Sequence, residues 1–482
     1  MTTRRLATLA LCIVAALGGT ERALAAQCGL PDTTPLWFDF SDGSVSFRDE
    51  VFGRPGVIAA TTGPAVSAAL RGRGAHTIAW DMHLERRVGT PTTPADPAGI
   101  IPAADSLFDF AAASSGCSRP LIALNELLGQ PLAPPWTPEN VLYRANVLSF
   151  IDRMAERGAR PFLLLPNSNP HLGGEALLWW QRVVEKADLV RQVYFNATTV
   201  SALGPLLGSR RLRTRMRDAA RALIAAGFPP SRIGLMLGFH SGSATSGRAG
   251  LQPREAWFQY VKLNALAARQ VAAELGLGTV WSWGWGTFNE VGNDPDKPTA
   301  ACVYLWTRDP ALCDGPSVAG TSFNTSRTEG QIVLPPGVQC TFVVGQISRA
   351  SVDRAAAITR DRQQALTALF ARVVQRARIA VRPAEITRAE TTIVKRRFSG
   401  RRAAYLRELR RRKVTLDFAR SVIADELRRP RLATVVGPDV NGWTVAEQTK
   451  ALDTATCLAD ELPAIGDIRL ASELPFLRLS SV

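Results

Sequence analysis

A carboxylate stands directly after one of several short apolar runs in this sequence. Leu121-Ile122-Ala123-Leu124 is followed at once by Asn125 and Glu126. A carboxylic acid can give or take a proton, and cleavage of a glycosidic bond uses two of them on opposite sides of the reacting carbon. Glu126 is our candidate general acid/base for such a reaction. The alternative is that this glutamate only caps the next helix or pairs with an arginine.

Other polar residues occupy the same kind of position, just after an apolar run. They are Asp39, Asp81, His83, Asn125, Asn167, Asn169, Asn196 and His240. The strands of a parallel barrel all end at one mouth, where barrel enzymes place their catalytic groups. Within this set we expect substrate hydroxyl groups to be contacted by Asp39, His83, Asn125, Asn167 and His240.

Eight apolar runs alternate with helical or glycine-rich stretches. The runs span residues 36–40, 56–60, 77–84, 121–126, 161–165, 192–196, 232–239 and 279–285. Three of the intervening helices are well marked, with starts at Thr137-Pro138, Ser209 and Pro253 and apolar residues in helical phase. This alternation predicts an α/β fold, a (β/α)8 TIM barrel.

The last run carries Trp281, Trp283 and Trp285 at a spacing of two. On a strand this spacing places all three indoles on one face. Three indoles are too bulky for one narrow lumen, so we expect most of them to pack beneath helices. We expect the last one to reach the rim, with Trp283 and Trp285 as the candidates for contact with a sugar.

The first 25 residues have the pattern of a secretory signal peptide. Arg4-Arg5 precede an apolar stretch from Leu6 to Leu17, and Ala23-Leu24-Ala25 supplies a small-x-small cleavage site. Its removal leaves six cysteines, an even set that indicates disulfides in an exported chain, and Cys302 with Cys313 is the pair we favour. We expect a secreted or cell-envelope-associated protein with no transmembrane segment after cleavage.

Positive charge is concentrated in one segment. Residues 349–431 hold 23 Lys/Arg against 8 Asp/Glu, and this surplus of 15 equals the net charge of +15 of the whole chain. We expect a signal peptide (1–25), a barrel (26–290), a disulfide-tied extension or linker (291–348), a smaller basic all-helical domain (349–431) and a C-terminal tail (432–482).

Three motifs together resemble the barrel glycoside hydrolases of the large retaining clan that includes cellulases and mannanases. They are Asp81-Met82-His83, Asn125-Glu126 and the tryptophan-rich segment 281–285. The resemblance covers residues 36 to 290. It implies that His83 and Asn125 hold substrate hydroxyls, that Glu126 is the acid/base, and that Trp283 or Trp285 stacks on the sugar.

The chain departs from that family at the end of the seventh run. Leu237-Gly238-Phe239-His240 carries no glutamate where the family has its nucleophile. Three explanations stay open. Glu290 supplies the second carboxylate, or Asp81 or Asp39 acts as a base for water in an inverting enzyme, or the barrel binds glycans without cleaving them.

The basic segment is typical of amphipathic helices. Residues 351–430 resemble the helical chaperone region of SurA-type prolyl isomerases, although no isomerase domain follows. Runs such as Arg410-Arg411-Arg412-Lys413 have non-specific affinity for phosphates. Because the aromatic interleaving of a single-strand binder is missing and export is expected, we do not expect nucleic acid as a partner. An anionic cell-envelope surface is the partner that we expect for residues 349–431.

Two functions are consistent with these patterns. The first is a secreted glycoside-hydrolase-like barrel protein that acts on or binds a polysaccharide or glycoconjugate, with Glu126 as general acid/base. The alternative is a non-catalytic, envelope-associated glycan-binding or chaperone-like protein with a degenerate barrel site. We expect no cofactor, and no metal site, because no Cys/His spacing is typical of zinc.

Overall fold

The computed structural model describes residues 27–242, 247–248, 251–287, 294–313 and 324–479. The predicted signal peptide and Glu290 lie outside these residues. The described residues form two compact units, one up to Gln331 and one from Ile332 onward. The division falls inside the stretch that we interpreted as a linker.

Eight parallel strands close into a barrel in chain order, which confirms the predicted fold. Each strand pairs with the next, and the last pairs with the first. The strands are β1 (Leu36–Phe40), β2 (Ile58–Thr61), β3 (His76–Asp81), β4 (Leu121–Leu124), β5 (Arg160–Leu165), β6 (Asp188–Gln192), β7 (Ile233–Gly238) and β8 (Thr279–Trp283). Their near-continuous burial explains their apolar sequences.

Helices surround the barrel. They are α1 (Arg48–Val51), α2 (Pro64–Gly72), α3 (Leu84–Val88), α4 (Ile100–Ser115), α5 (Pro138–Glu156), α6 (Gly174–Lys186), α7 (Ala197–Ala202), α8 (Gly204–Ala225), α9 (Arg254–Leu275) and α10 (Lys297–Arg308). The Thr137 side chain accepts the Asn140 amide and Pro138 begins α5, as predicted. Helix α8 begins five residues before the predicted start.

Side chains of the strands alternate between two separate cores. Phe38, Ile78, Phe162 and Met236 lie inside the barrel with Trp281. The residues between them point outward and pack under the helices. There they form a larger core to which every helix of this unit contributes its apolar face. The alternation follows from the period of two along a strand, so it decides which strand-end residues can reach the lumen.

The sixth strand is shifted four residues from its predicted position. It spans Asp188–Gln192 rather than 192–196. Its first residue is charged, and the sequence pattern did not favour a buried aspartate in a strand. Asp188 is buried because Arg160 on β5 lies 2.5 Å from its carboxylate. The shift moves Gln192 to the end of the strand and Tyr194 just beyond it.

The prediction that most tryptophans of β8 pack beneath helices is wrong. Trp281 lies fully buried inside the barrel and Trp283 follows it on the same face. An added Cβ at Gly234 on β7 would clash with the Thr279 hydroxyl, which accepts a hydrogen bond of 2.8 Å from the Trp281 indole. Gly284 has φ +91°, which ends the alternation, and Trp285 consequently packs in the outer core.

Among its described residues the second unit contains six α-helices and a small antiparallel sheet; the sheet lies outside residues 349–431, which are helical as predicted. The helices are α11 (Arg349–Thr359), α12 (Arg362–Arg378), α13 (Pro383–Arg397), α14 (Arg402–Arg411), α15 (Leu416–Val436) and α16 (Val440–Leu452). Strand β9 (Val338–Phe342) lies between β10 (Gly345–Ser348) and β11 (Thr456–Cys457). The predicted C-terminal tail is part of this unit, and its apolar residues join the same core.

Three disulfides link the six cysteines. Cys302 pairs with Cys313, as predicted, and the others are Cys28–Cys117 and Cys340–Cys457. Cys340–Cys457 joins β9 to β11 within the second unit. Among the described helices, none is both long and apolar enough to cross a membrane.

Candidate functional site

A cavity of about 680 Å³ opens at the carboxyl ends of the barrel strands. Residues from seven of the eight strands, or from the loops after them, line it: Phe40, Asp42, Ser44, Val45, Trp80, Met82, Asn125, Glu126, Leu164, Asn167, Gln192, Tyr194, Met236, Trp283, Gly284, Trp285, Gly286 and Thr287. The volume suits one or a few sugar rings. This end of a barrel is where catalytic groups of the fold are found.

Glu126 lies on this cavity, two residues after β4 ends. Its side chain is exposed, and the Gln192 amide donates a hydrogen bond of 2.9 Å to Oε1. No group among the described residues donates a hydrogen bond to Oε2 of Glu126. The carboxylate is therefore held by one oxygen and presents the other to the cavity.

A second carboxylate on the cavity is Asp42, which the sequence interpretation missed. It is half-buried, and its Oδ1 accepts hydrogen bonds from the backbone amide of Ser44 at 2.8 Å and from the Ser44 hydroxyl at 2.5 Å. The polar sequence Ser41-Asp42-Gly43 directly after β1 is the signal that would have identified it. The prediction named Asp39, which lies within β1, instead of Asp42.

Asp39 faces the outer core and does not line the cavity. It is fully buried, accepts the Ser282 hydroxyl at 2.7 Å, and pairs with Arg308 of α10 at 2.6 Å. Its neighbours Phe38 and Phe40 face the lumen, so the alternation of the strand directs Asp39 outward. Its carboxylate joins the barrel to a helix.

Asp81 also lies outside the cavity lining. Arg87 donates two hydrogen bonds to its carboxylate, of 2.8 and 3.2 Å. His83 is exposed, with Nδ1 3.2 Å from Oε1 of Glu85, and it does not line the cavity either. Trp80 and Met82, which flank these residues, are the ones that do.

Asn125 and Asn167 line the cavity, as expected for residues at strand ends. The Asn125 amide donates 3.3 Å to the carbonyl of Met82, which ties the end of β4 to the loop after β3. Asn167 is exposed, and its backbone carbonyl accepts a hydrogen bond of 2.9 Å from Arg191.

Aromatic rings form one wall of the cavity. Trp283 is half-buried, and its ring stacks with Tyr194 at a centroid distance of 5.9 Å and an interplanar angle of 17°. Trp285 reaches the lining but is only 1% exposed, and its indole donates 2.8 Å to the Ser282 hydroxyl while stacking on Phe239. Trp283 is therefore the accessible platform.

The ring of Tyr194 packs over the end of β7, where Gly238 has no side chain. An added Cβ at Gly238 would lie 2.6 Å from the Tyr194 ring, so this ring packs directly against the backbone at the end of β7. The Tyr194 hydroxyl is buried, and no described group hydrogen-bonds to it. Burial, together with the negative charge of Glu126, raises its pKa well above the usual value.

His240 lies behind the aromatic wall rather than on the cavity. It is 2% exposed, and its ring meets Trp283 edge-on at 4.3 Å. Burial, helped by the positive charge of Lys297, lowers the pKa of His240 to about 4. His240 is therefore neutral at physiological pH, and it packs against Trp283 without lining the cavity.

The cavity carries acidic but no basic side chains. Its described lining includes two carboxylates and no Lys, Arg or His. Over the same described residues, no group of three or more His, Cys, Asp or Glu side chains is arranged to hold a metal ion. What this arrangement can do chemically is exchange protons and bind hydroxyl groups beside an aromatic surface.

Comparison with known protein families finds no match, and no curated protein matches either. The SurA-like interpretation of residues 351–430 thus gains no support. Among solved structures, a Bacteroides ovatus GH5 xyloglucanase in complex with a XXXG heptasaccharide matches at 10% identity, over 53% of this chain and 66% of its own, with a TM-score of 0.33. The chain thus spans slightly under two thirds of that enzyme.

Two further solved structures are similar at the same level. A glycoside hydrolase family 5 enzyme from Prevotella bryantii B14 has 11% identity, with 55% of this chain and 85% of its own covered and a TM-score of 0.34. A D-allulose 3-epimerase from Methylomonas sp. has 14% identity, 56% and 90% coverage, and a TM-score of 0.30. Likeness at this level assigns neither family nor substrate, and the barrel stands on its own strand pairing.

Proposed function

We propose that this protein acts on a polysaccharide as a glycoside-hydrolase-like enzyme, with Glu126 as general acid/base and Asp42 as the second carboxylate. The observation that carries the proposal is that both carboxylates line one cavity together with the half-buried ring of Trp283. Glycosidic cleavage requires two carboxylic groups around one sugar, and aromatic faces bind sugar rings.

In the proposed reaction Glu126 protonates the glycosidic oxygen of the leaving sugar. The Gln192 amide fixes Oε1, which leaves Oε2 to meet the substrate. Exposure of Glu126 lets it regain a proton from solvent after each turnover. This is general acid catalysis, which contributes about 10²- to 10⁴-fold in other enzymes.

Asp42 has the complementary role on the opposite side of the sugar. Ser44 holds its Oδ1 through two hydrogen bonds, so Oδ2 is the oxygen that would take a proton from water or attack the anomeric carbon. β1 and β4, which precede the two carboxylates, are three strands apart around the ring. The two groups therefore approach a bound sugar from different sides.

The second candidate function is glycan binding without cleavage. The observation that favours it is the end of β7, because Leu237-Gly238-Phe239-His240 carries no glutamate and the Tyr194 ring packs against Gly238. In this alternative Asp42 and Glu126 only accept hydrogen bonds from sugar hydroxyls. Binding would then survive removal of either charge.

We also propose that the protein works outside the cytoplasm. The first unit contains two disulfides and the second contains one, and disulfides are typical of proteins in oxidising compartments. The partner of the barrel would be a polysaccharide or glycoconjugate of that compartment. The basic residues of 349–431 would hold the protein at an anionic cell-envelope surface.

The test is hydrolysis by the purified protein of β-glucans, mannans, arabinogalactans and peptidoglycan, with reducing ends as the readout. Glu126→Gln and Asp42→Asn are the test variants, since each keeps the size of the side chain. Glu185→Gln on α6 is the matched control, because Glu185 is exposed and does not line the cavity.

We expect hydrolysis of at least one polymer by the wild-type protein and the control, and its loss in both test variants. Hydrolysis that survives Glu126→Gln would overturn the assignment of the acid. Binding without hydrolysis in all proteins would establish the second candidate function.

A further inference from the structure

One surface of the second unit carries an unusual density of positive charge. Residues 395–413, which we name the basic cluster, comprise the last turn of α13, the turn after it, α14 and the two residues that follow. They include ten Lys or Arg residues and one acidic residue, Glu408, so 19 residues carry a net charge of +9. All ten cationic residues are exposed.

Few of these charges are neutralised within the protein. Glu408 pairs with Arg411 and Arg412 at 2.8 and 2.7 Å, and Glu390 lies 3.4 Å from Arg402. Across the described chain, no carboxylate lies within ion-pair distance of the following cations: Lys395, Arg396, Arg401, Arg407 and Lys413. Protein surfaces usually intersperse both signs, since a large field of one sign serves to attract a partner.

Local helix stability does not account for these residues. The positive end of a helix dipole disfavours cations, yet Arg401 caps the N-terminus of α14 and Arg402 is its first residue. The Arg401 side chain accepts no hydrogen bond there, which an Asp or Ser at the same place would do. The sequence thus places charge where it costs helix stability.

The surroundings of the basic cluster restrict its partner. The apolar face of α14, with Tyr405 and Leu409, is buried in the core of the unit, and no large hydrophobic residue of the cluster is exposed. Insertion into a bilayer needs such an exposed face, and single-stranded nucleic acid needs exposed aromatic rings for stacking. What the cluster offers is a dense set of arginine side chains, whose guanidinium groups bind carboxylates and phosphates through paired hydrogen bonds.

We propose that the basic cluster binds an acidic polysaccharide through the carboxylates of its sugar units. That the polyanion is a polysaccharide rests on the proposed function of the barrel, whereas its acidity follows from the charge of the cluster. The cavity has two carboxylates and no described basic lining residue, so it would take neutral stretches of such a polymer. Residues 243–246, 249–250, 288–293 and 314–323 contain no Lys, Arg or His that would change this balance.

The experiment measures the affinity of the full chain for polygalacturonate and for neutral dextran at several salt concentrations. The cluster variant replaces Lys395, Arg396, Arg407 and Arg410 with Gln. The matched control replaces four exposed cations of the barrel unit, Arg73, Arg86, Arg182 and Lys186, with Gln, and so removes the same net charge. Circular dichroism and thermal unfolding verify that both variants fold.

We expect the cluster variant to bind polygalacturonate about 10- to 100-fold more weakly and with a shallower salt dependence, while the control changes less than about twofold. Equal losses in both variants, or wild-type binding no tighter than to dextran, would refute the basic cluster as the site. Tighter binding to a short DNA duplex or to phosphatidylglycerol vesicles than to polygalacturonate would refute the polysaccharide as partner.

The variant Glu126→Gln separates this inference from the proposed function. It should retain the wild-type affinity for polygalacturonate even though it loses hydrolysis. Retained polyanion binding in a protein without any hydrolysis would count against the proposed function alone, and hydrolysis without polyanion binding would count against the cluster alone.

Discussion

The barrel cavity and the basic cluster are opposites in charge and in origin. The cavity presents two carboxylates and no described cationic side chain, whereas the cluster presents ten cations and one carboxylate. Cavity residues come from strand ends up to about 240 positions apart, while the cluster is a continuous stretch of 19 residues. The barrel brings the cavity residues together, whereas the cluster residues are neighbours in sequence. Different substitutions and conditions should therefore abolish the function of each region.

The largest effect is expected from the cavity carboxylates. Glu126→Gln and Asp42→Asn should each lower kcat by up to about 10⁴-fold, because each removes half of a proton-transfer pair. The double variant should lose little more than either single variant, since residues that act as a unit are not additive. Steady-state rates on the best polymer measure this. Fully multiplicative losses would mean that the two carboxylates do not act together.

Substitution of Trp281 should mainly affect the stability of the barrel, and substitution of Trp283 should mainly affect ligand binding. Trp281→Ala should lower the free energy of unfolding by about 3–5 kcal/mol, because it empties the middle of the lumen. Trp283→Ala should cost less stability and should weaken oligosaccharide binding, since its face is accessible. Urea unfolding and calorimetric titration measure the two effects. The reverse pattern would mean that Trp281, not Trp283, meets the ligand.

His240 makes the barrel unit, but not the cluster, sensitive to mild acid. Its pKa of about 4 in the folded protein is below the usual value of 6.5, so the unfolded chain binds the proton first. Stability should therefore fall as the pH drops from 6.5 towards 4, by about 3 kcal/mol at most. The second unit contains no histidine, and its arginines keep their charge throughout.

The measurement is urea unfolding at a series of pH values for the wild type and for His240→Gln. The part of the acid-dependent loss that is due to His240 should be missing in the variant. Parallel pH profiles for the two proteins would show that this histidine is not protonated more readily in the unfolded chain. Above about pH 5, where the carboxylates of the polymer stay ionised, polygalacturonate binding should not change with pH.

Gly238 sets the shape of the aromatic wall. Gly238→Ala should cost about 1–3 kcal/mol and weaken oligosaccharide binding, because the new methyl group would push the Tyr194 ring towards the cavity. Gly72→Ala in α2 is the matched control, since an added Cβ there meets nothing within 4 Å. Stability within about 0.5 kcal/mol of the wild type for Gly238→Ala would mean that Tyr194 moves freely.

The smallest effect is expected at the start of α14. Arg401→Asp should raise stability by about 0.5–1 kcal/mol, because a carboxylate caps the helix and favours its dipole. The same change should weaken polygalacturonate binding, since it replaces an unpaired cation with an anion. Thermal unfolding and affinity together make the test. A variant that loses stability would show that Arg401 has a structural role.

The barrel was predictable because its strands are buried on both faces. Seven of the eight apolar runs lie within a few residues of the observed strands, and the run at 36–40 coincides with β1. β6 was misplaced because Asp188 and Arg191 lie in it, and their burial depends on partners from other segments: Arg160 for Asp188 and the loop after β5 for Arg191. No local pattern records such partners.

The candidate site was predictable only in part. Glu126, Asn125, Asn167 and Trp283 line the cavity, whereas Asp39 and Asp81 pair with arginines elsewhere. A one-residue difference along a strand decides between lumen and outer core, and sequence patterns locate strand ends less accurately than that. Glu290 lies outside the described residues, so its role stays a prediction.

The barrel, the separate basic region and its excess of charge could be predicted from the residues alone, because hydrophobic periodicity and composition are local properties of the chain. Three contacts could not: Asp42 shares the cavity with Glu126, Tyr194 covers Gly238, and Arg308 binds Asp39. These facts join residues far apart in sequence, and closure of the ring alone fixes which of their side chains meet.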